Sequence, residues 1–90
     1  MSDDTPESLI EYPCDFPIKV MGEASEAFAG IVCHVVQAHA PDFDAQTIST
    51  RASAGGKYVS VTCTVRVVSR EQLDNLYRDL STHPAVAMVL

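Results

Sequence analysis

An α+β sandwich running strand, helix, strand, strand, helix, strand is the fold this sequence predicts, and three observations carry it. From Lys57 to Val67 the chain alternates without a break, with Val59, Val61, Cys63, Val65 and Val67 on one parity and Tyr58, Ser60, Thr62, Thr64 and Arg66 on the other. Period two over that length marks a strand with one face buried and one face open. Two stretches on either side, Phe28 to Val36 and Leu73 to Leu80, repeat their apolar residues at three- and four-residue steps, which is the helical period. Gly55-Gly56 stands just before the alternating strand, where a tight hairpin needs positive φ values.

Taken in order, residues 1–8 are acidic and poor in apolar area, which predicts a loose tail that cannot offset its ordering entropy. Residues 9–90 are expected to form one domain, since a chain of 90 residues supports a single core. Phe16, Ile18 and Val20 alternate with Pro17, Lys19 and Met21 in a first strand that Gly22 closes. A helix near 25–40 starts with Ser25 as N-cap and Glu26 in the first turn, and Pro41 ends it because its ring and missing N–H cannot continue a helix. Its inward stripe is Phe28, Ile31, Val32, Val35 and Val36, and His39 in its last turn is explained by the dipole.

Residues 46–53 alternate again, Ile48 and Ala52 inward and Thr47, Ser49 and Arg51 outward. A Gly55-Gly56 loop places Arg51 opposite Ser60 and Ser49 opposite Thr62, so each pair shares a face, as an antiparallel ladder requires. Ser69 with Gln72 three residues on has capping-box spacing. It opens a helix near 70–81 with Leu73, Leu76, Tyr77 and Leu80 inward and an Asp74–Arg78 pair outside. Val86, Met88 and Leu90 then make the last strand. Two right-handed βαβ units sharing a central hairpin give the ferredoxin-like βαββαβ sandwich, a four-stranded antiparallel sheet of order 4-1-3-2 with both helices on one face.

Composition excludes several functions. A net charge of −6 argues against nucleic acid as a partner, because wrapping a phosphate backbone needs a cationic excess. Sheets of this fold that bind RNA stack bases on two or three aromatics, whereas Tyr58 stands alone here. No run approaches the roughly 20 apolar residues of a membrane span. The start of the chain has no apolar signal segment, and Cys14, Cys33 and Cys63 are odd in number with no CxxC, which predicts a cytoplasmic protein with reduced thiols. Heavy-metal carriers of this fold need a CxxC where Met21-Gly22-Glu23 stands, and His34, His39 and His83 lack metal spacing. No phosphate loop or nucleophile elbow is present. The expectation is no metal, no cofactor, no catalytic residue and no enzyme.

The open face is the surface with a distinct chemistry. Strand parity places Lys19, Arg51 and Arg66 on it with Tyr58, and no acidic residue, so a chain of twelve acids and six bases keeps one face at about +3. Arg51 and Arg66 lie six rows apart, roughly 20 Å at about 3.3 Å per residue. That separation suits an extended acidic segment, from a protein partner or from residues 1–15 of the chain itself, better than one small anion. Exposed charges of this kind also serve simply as a solvated face.

With LIEYPCDFPIKVMG at residues 9–22, VVQAHAP at 35–41 and VAMVL at 86–90, the chain resembles the YbeD-like family of small bacterial ferredoxin-fold proteins from about Leu9 to Leu90. The family's fold is similar to the ACT regulatory domain, and its genes often lie near those of lipoate attachment. The resemblance implies no catalytic residues. ACT domains bind small effectors around the turn after the first strand, which implies Gly22 as a turn position beside a small metabolite, and they pair edge to edge, which implies a homodimer through a strand edge. The leading expectation is a non-enzymatic interaction or regulatory module working through the open face or a strand edge, with Lys19, Arg51, Tyr58 and Arg66 as partner-binding residues. The second is an ACT-like metabolite sensor with Gly22 at the pocket rim.

Overall fold

The computed structural model describes residues 11–90; the tail expected at 1–8 lies outside them. The elements are β1 (Cys14–Glu23), α1 (Phe28–His39), a short 3₁₀ turn (Ala45–Thr47), β2 (Ser49–Ala52), β3 (Tyr58–Val67), α2 (Arg70–Thr82) and β4 (Val86–Val89). The four strands form one antiparallel sheet in the order β2-β3-β1-β4. This is the ferredoxin-like βαββαβ fold expected from the alternation and the two helical stripes.

The centre of the sheet is the long β1–β3 ladder, in register from Cys14 opposite Val67 to Glu23 opposite Tyr58. Ile18, Val20, Val61, Cys63, Val65 and Val67 point from it into the core, where they meet Phe28, Val32 and Val36 of α1 and Leu73, Leu76 and Leu80 of α2. Two β-branched rows facing two helical stripes make a half-covered sheet, because all their apolar area lies on one side. Pro17 is tolerated inside β1 for a geometric reason. Lys19, of the same parity, exchanges its backbone bonds with Leu90, so the missing N–H of Pro17 points past the end of β4 and breaks no ladder bond.

Several local expectations change. β1 begins two residues earlier and ends one residue later than the apolar alternation alone indicated, and Gly22 lies within it. α1 starts at Phe28, with Ala27 at its N-cap position and no side-chain cap, while the Ser25 carbonyl accepts from the Phe28 N–H in a preceding turn. Ser25 therefore supplies a backbone turn and not the cap. β2 is four residues long, because Asp44 closes a turn ahead of it. The Asp44 carboxylate accepts from Gln46 N–H at 2.9 Å, and the Thr47 hydroxyl donates to the Asp44 carbonyl at 2.7 Å. Thr47 is thus spent on its own turn and leaves the sheet, and Ala52, expected inward, is exposed.

The hairpin keeps the expected register, Arg51 opposite Ser60 and Ser49 opposite Thr62, but its loop is longer than two glycines. Ser53 N–H bonds to Tyr58, Gly56 N–H bonds to Ser53, and only Gly56 has a positive φ, 71°. At α2 the Ser69 hydroxyl caps Gln72 N–H at 3.1 Å as its spacing predicts. The Gln72 side chain reaches one residue further back, accepting from Val68 N–H and donating to the His39 carbonyl. The outer ion pair is Arg70 with Asp74, and Arg78 bonds to Asn75 instead of Asp74. His39 Nε2 lies 2.6 Å from Asp79 Oδ2, tying α1 to α2, so a cross-helix partner as well as the dipole explains that histidine.

Burial raises the Cys63 thiol from its ordinary 9.0 to about 11, with a smaller contribution from Cys33 beside it, and desolvation also raises Cys33 and Tyr77. Below pH 9 these groups are neutral in both folded and unfolded chains and leave stability unchanged. Between pH 9 and about 11 the unfolded Cys63 ionises and the folded one does not, so stability falls as pH rises. Chemical denaturation across this range should show that decline, and Cys63→Val should flatten part of it. Val61→Asp should unfold the domain, since an unpaired core carboxylate costs several kcal/mol of the about 5–15 available, while Thr64→Asp on the open face should cost under about 1 kcal/mol. Circular dichroism melts of the two variants check this directly.

Candidate functional site

The open face is read row by row across the strands. One row holds Met88, Met21, Ser60 and Arg51, and the next holds Leu90, Lys19, Thr62 and Ser49. Towards the start of β1 lie Pro17 with Thr64 and then Asp15 with Arg66; at the other end Glu23 faces Tyr58. The four positions expected to bind a partner therefore separate into two groups. Lys19, Arg51 and Tyr58 line one hollow of about 440 Å³ with Met21, Ser53 and Ser60. Arg66 stands at the far end of the sheet, 3.8 Å from Asp15.

The expectation that no acid lies on this face is corrected by the same rows. Asp15 and Glu23 both have the parity of Lys19, because β1 extends past the apolar alternation at each end. The face carries three bases against two acids, not a uniform cationic stripe. Its charge is instead unevenly placed. Of the chain's six bases, Arg66 pairs with Asp15, Arg70 with Asp74, and Arg78 bonds to Asn75. Lys19, Arg51 and Lys57 have no acidic partner among the described residues; Lys19 and Arg51 line the hollow with Tyr58, and the Lys57 ammonium lies 5.7 Å from the Tyr58 ring centre.

Beside these cations lies an apolar strip that alternation did not reveal. Among the described residues, Tyr58, Met88 and Leu90 are three of the four exposed large hydrophobic residues, and Met21 and Met88 share one row. A shallow depression lined by Met21, Tyr58, Ala87 and Met88 runs into the cationic hollow through Tyr58. The signal for it in sequence was slight, since β4 is short and its bulge at Met21/Gly22 shifts its parity. Ser60, placed by parity on the open side, is buried at 8 % exposure, and its hydroxyl donates to the Arg51 carbonyl, 3.4 Å away. It forms the floor of the hollow.

Gly22 has a different role from the one the ACT resemblance implies. It sits in β1 at the bulge against β4, and a Cβ there would run into the Phe28 ring and lie 2.5 Å from the Ala85 carbonyl oxygen. The absent side chain makes room for the first aromatic of α1. A second hollow of about 420 Å³ does open just beyond it, lined by Glu23, Ala24, Ser25, Phe28, Tyr58 and Pro84 to Ala87. Gly22 does not line this hollow, and Tyr58 is shared with the cationic one. Among the described residues no three His, Cys, Asp or Glu side chains gather as metal ligands, and no helix is long and apolar enough to cross a membrane.

The half-covered sheet with its two helices is a ferredoxin-like fold, similar in architecture to ACT domains. A solved domain of that type, the ACT domain of a GTP pyrophosphokinase from Chlorobium tepidum, matches with a TM-score of 0.62 at 20% identity over 84% of each chain. The solution structure of a Helicobacter pylori protein matches more completely, with a TM-score of 0.73 at 15% identity over 100% of this chain and 94% of that one. Within this class the chain belongs to the family described as "Protein of unknown function (DUF493)", whose model matches residues 7–90, and this is the YbeD-like family its motifs resemble. A UPF0250 protein of Nitrosomonas europaea is 54% identical over 86 residues, covering 96% of this chain and 99% of the relative. A UPF0250 protein of Janthinobacterium is 58% identical over 87 residues, covering 97% and 96%.

The Gly22 contacts yield a direct test. Gly22→Ala should destabilise the domain by about 1–3 kcal/mol through overpacking, and Phe28→Leu in the same chain should recover part of that loss. Urea denaturation of the three variants measures both effects.

Proposed function

We propose that this protein is a non-enzymatic binding module that acts on a protein partner through the end of its open sheet face around Tyr58. The observation that supports this reading is the position of Lys19, Arg51 and Lys57, three bases with no acidic partner among the described residues, near exposed Tyr58 and Met88. Cations left unpaired in an acidic chain create a local positive potential that steers an acidic surface to this spot, and the methionines beside them offer adaptable apolar contact. Arg66 is outside this site, being neutralised by Asp15. The ACT-like fold favours a regulatory role, exerted in trans because this chain carries no catalytic machinery of its own in the proposed reading. The gene neighbourhood that the family resemblance implies favours a target in lipoate attachment, and a reducing cytoplasmic setting suits the three free thiols.

A second reading is favoured by the hollow beyond β1, lined by Glu23, Ser25, Phe28, Tyr58 and Ala85. There the domain would sense a small metabolite at the position implied by the ACT resemblance.

The two readings separate by experiment. Lys19→Gln with Arg51→Gln should weaken capture of the cognate partner and flatten its salt dependence, because the contact is exposed and charged, while Arg66→Gln should leave both unchanged. Pull-down followed by titration at several salt concentrations reads this. Unchanged capture by the double variant, together with a melting temperature that rises with one member of a metabolite panel, would replace the protein-binding reading by the sensor.

A further inference from the structure

Resting on the open-face reading, we infer that the occupant of this site is an extended segment of a protein partner lying across the strands, with an acidic side chain at Arg51 on β2 and a large apolar side chain about four residues away at Met88 on β4, Lys19 standing beside Met21 in the adjoining row. The geometry supplies the spacing. Arg51, Ser60, Met21 and Met88 occupy one row on four neighbouring strands. Three strand-to-strand steps of about 4.8 Å each span about 14 Å, which an extended chain covers in about four residues.

The chemistry at each end is distinct. The cationic end offers the Arg51 guanidinium, whose strand position faces Ser60, and Lys19 lines the same hollow from β1. The apolar end offers a thioether pair and the Tyr58 ring, with Met88 52 % exposed. Met88 and Met21 are unbranched and polarisable, so the strip accepts apolar side chains of more than one shape. Glu23, opposite Tyr58, is the acid bordering the site and repels a second carboxylate at that edge. A free small anion would use the cationic end and leave the methionines exposed. A nucleic acid would need more cations and more stacking rings than Tyr58 supplies. A segment carrying one acid and one apolar anchor uses both ends.

The test titrates the isotope-labelled full chain with a short capped peptide of serine and threonine that carries one glutamate and one leucine four positions apart. Amide resonances of Lys19, Met21, Arg51, Tyr58 and Met88 should move together, and those of Arg66 and the helices should stay. Arg51→Gln or the glutamine version of the peptide should weaken binding about fivefold. Met88→Ser or the alanine version should weaken it by a similar or larger factor of about tenfold. Equal binding of acetate alone, or of peptides with the two residues adjacent, overturns the inference. Resonances at these residues that shift with protein concentration assign the face to a second copy and overturn it. The same resonances shifting on deletion of residues 1–8, with no response to peptide, assign it to the chain's own acidic start and overturn it as well. If the peptide fails while the cognate partner still depends on Lys19 and Arg51, this inference falls and the open-face reading stands. If that dependence is also missing, both fall.

Discussion

The pairing of β1 with β3 is the constraint on which the rest of the molecule depends. Ten consecutive cross-strand partners lock the two strands in one register, and a slip by one residue would turn either Ile18 and Val20 of β1 or Val61, Cys63, Val65 and Val67 of β3 out of the core. Because every one of these side chains is fully enclosed, that register has no near competitor. It also decides the other face. The same parity that buries the valines sets Met21 in one row with Arg51 and Met88, puts Lys19 in the next row, and brings Asp15 against Arg66. The site is a by-product of core packing, held in place by a ladder that has no freedom to shift.

The two ends of this sheet differ in kind. At the Asp15–Arg66 end the charges cancel across the ladder, as opposite charges on facing strands do. At the Tyr58 end the hairpin loop, the bulge of β4 and the turn before α1 converge on one tyrosine, and the cations there have no acid opposite them. The two ends of the face therefore differ in local potential, within a chain whose net charge is −6. Gly22 contributes from behind. By giving Phe28 room against the sheet, it lets α1 begin close to the end of β1 and shapes the wall between core and hollow.

The architecture was legible because its determinants are periodic. The valine alternation of β3, the leucine stripe of α2 and the Ser69–Gln72 spacing each act locally, and the structure keeps all three. The edges were less legible because they depend on partners distant in sequence. Nothing in the apolar pattern near Asp15 shows that β1 continues there, since its pairing with Arg66 is what extends the strand. Thr47 reads as a sheet residue by parity, yet a three-residue turn closed by Asp44 takes its hydroxyl. Lys19, Arg51 and Tyr58 were visible as members of one face, but their separation from Arg66 into a local site required knowing which bases are already paired. Met88 was hidden by the bulge that moves β4 out of simple alternation.

The central ladder has a further consequence for how the chain comes to be folded. Its nearest partners, Glu23 and Tyr58, are more than thirty residues apart in the chain, and its farthest, Cys14 and Val67, more than fifty. During synthesis β1 emerges first and waits with both edges open until β3 follows, whereas the β2–β3 hairpin closes over a short loop. Late, non-local pairing of this kind slows folding and leaves apolar strand edges available to other chains in the interval. The acidic residues crowding the start of the sequence precede that waiting strand out of the ribosome. Like charges ahead of a strand disfavour its approach to the same segment of another chain.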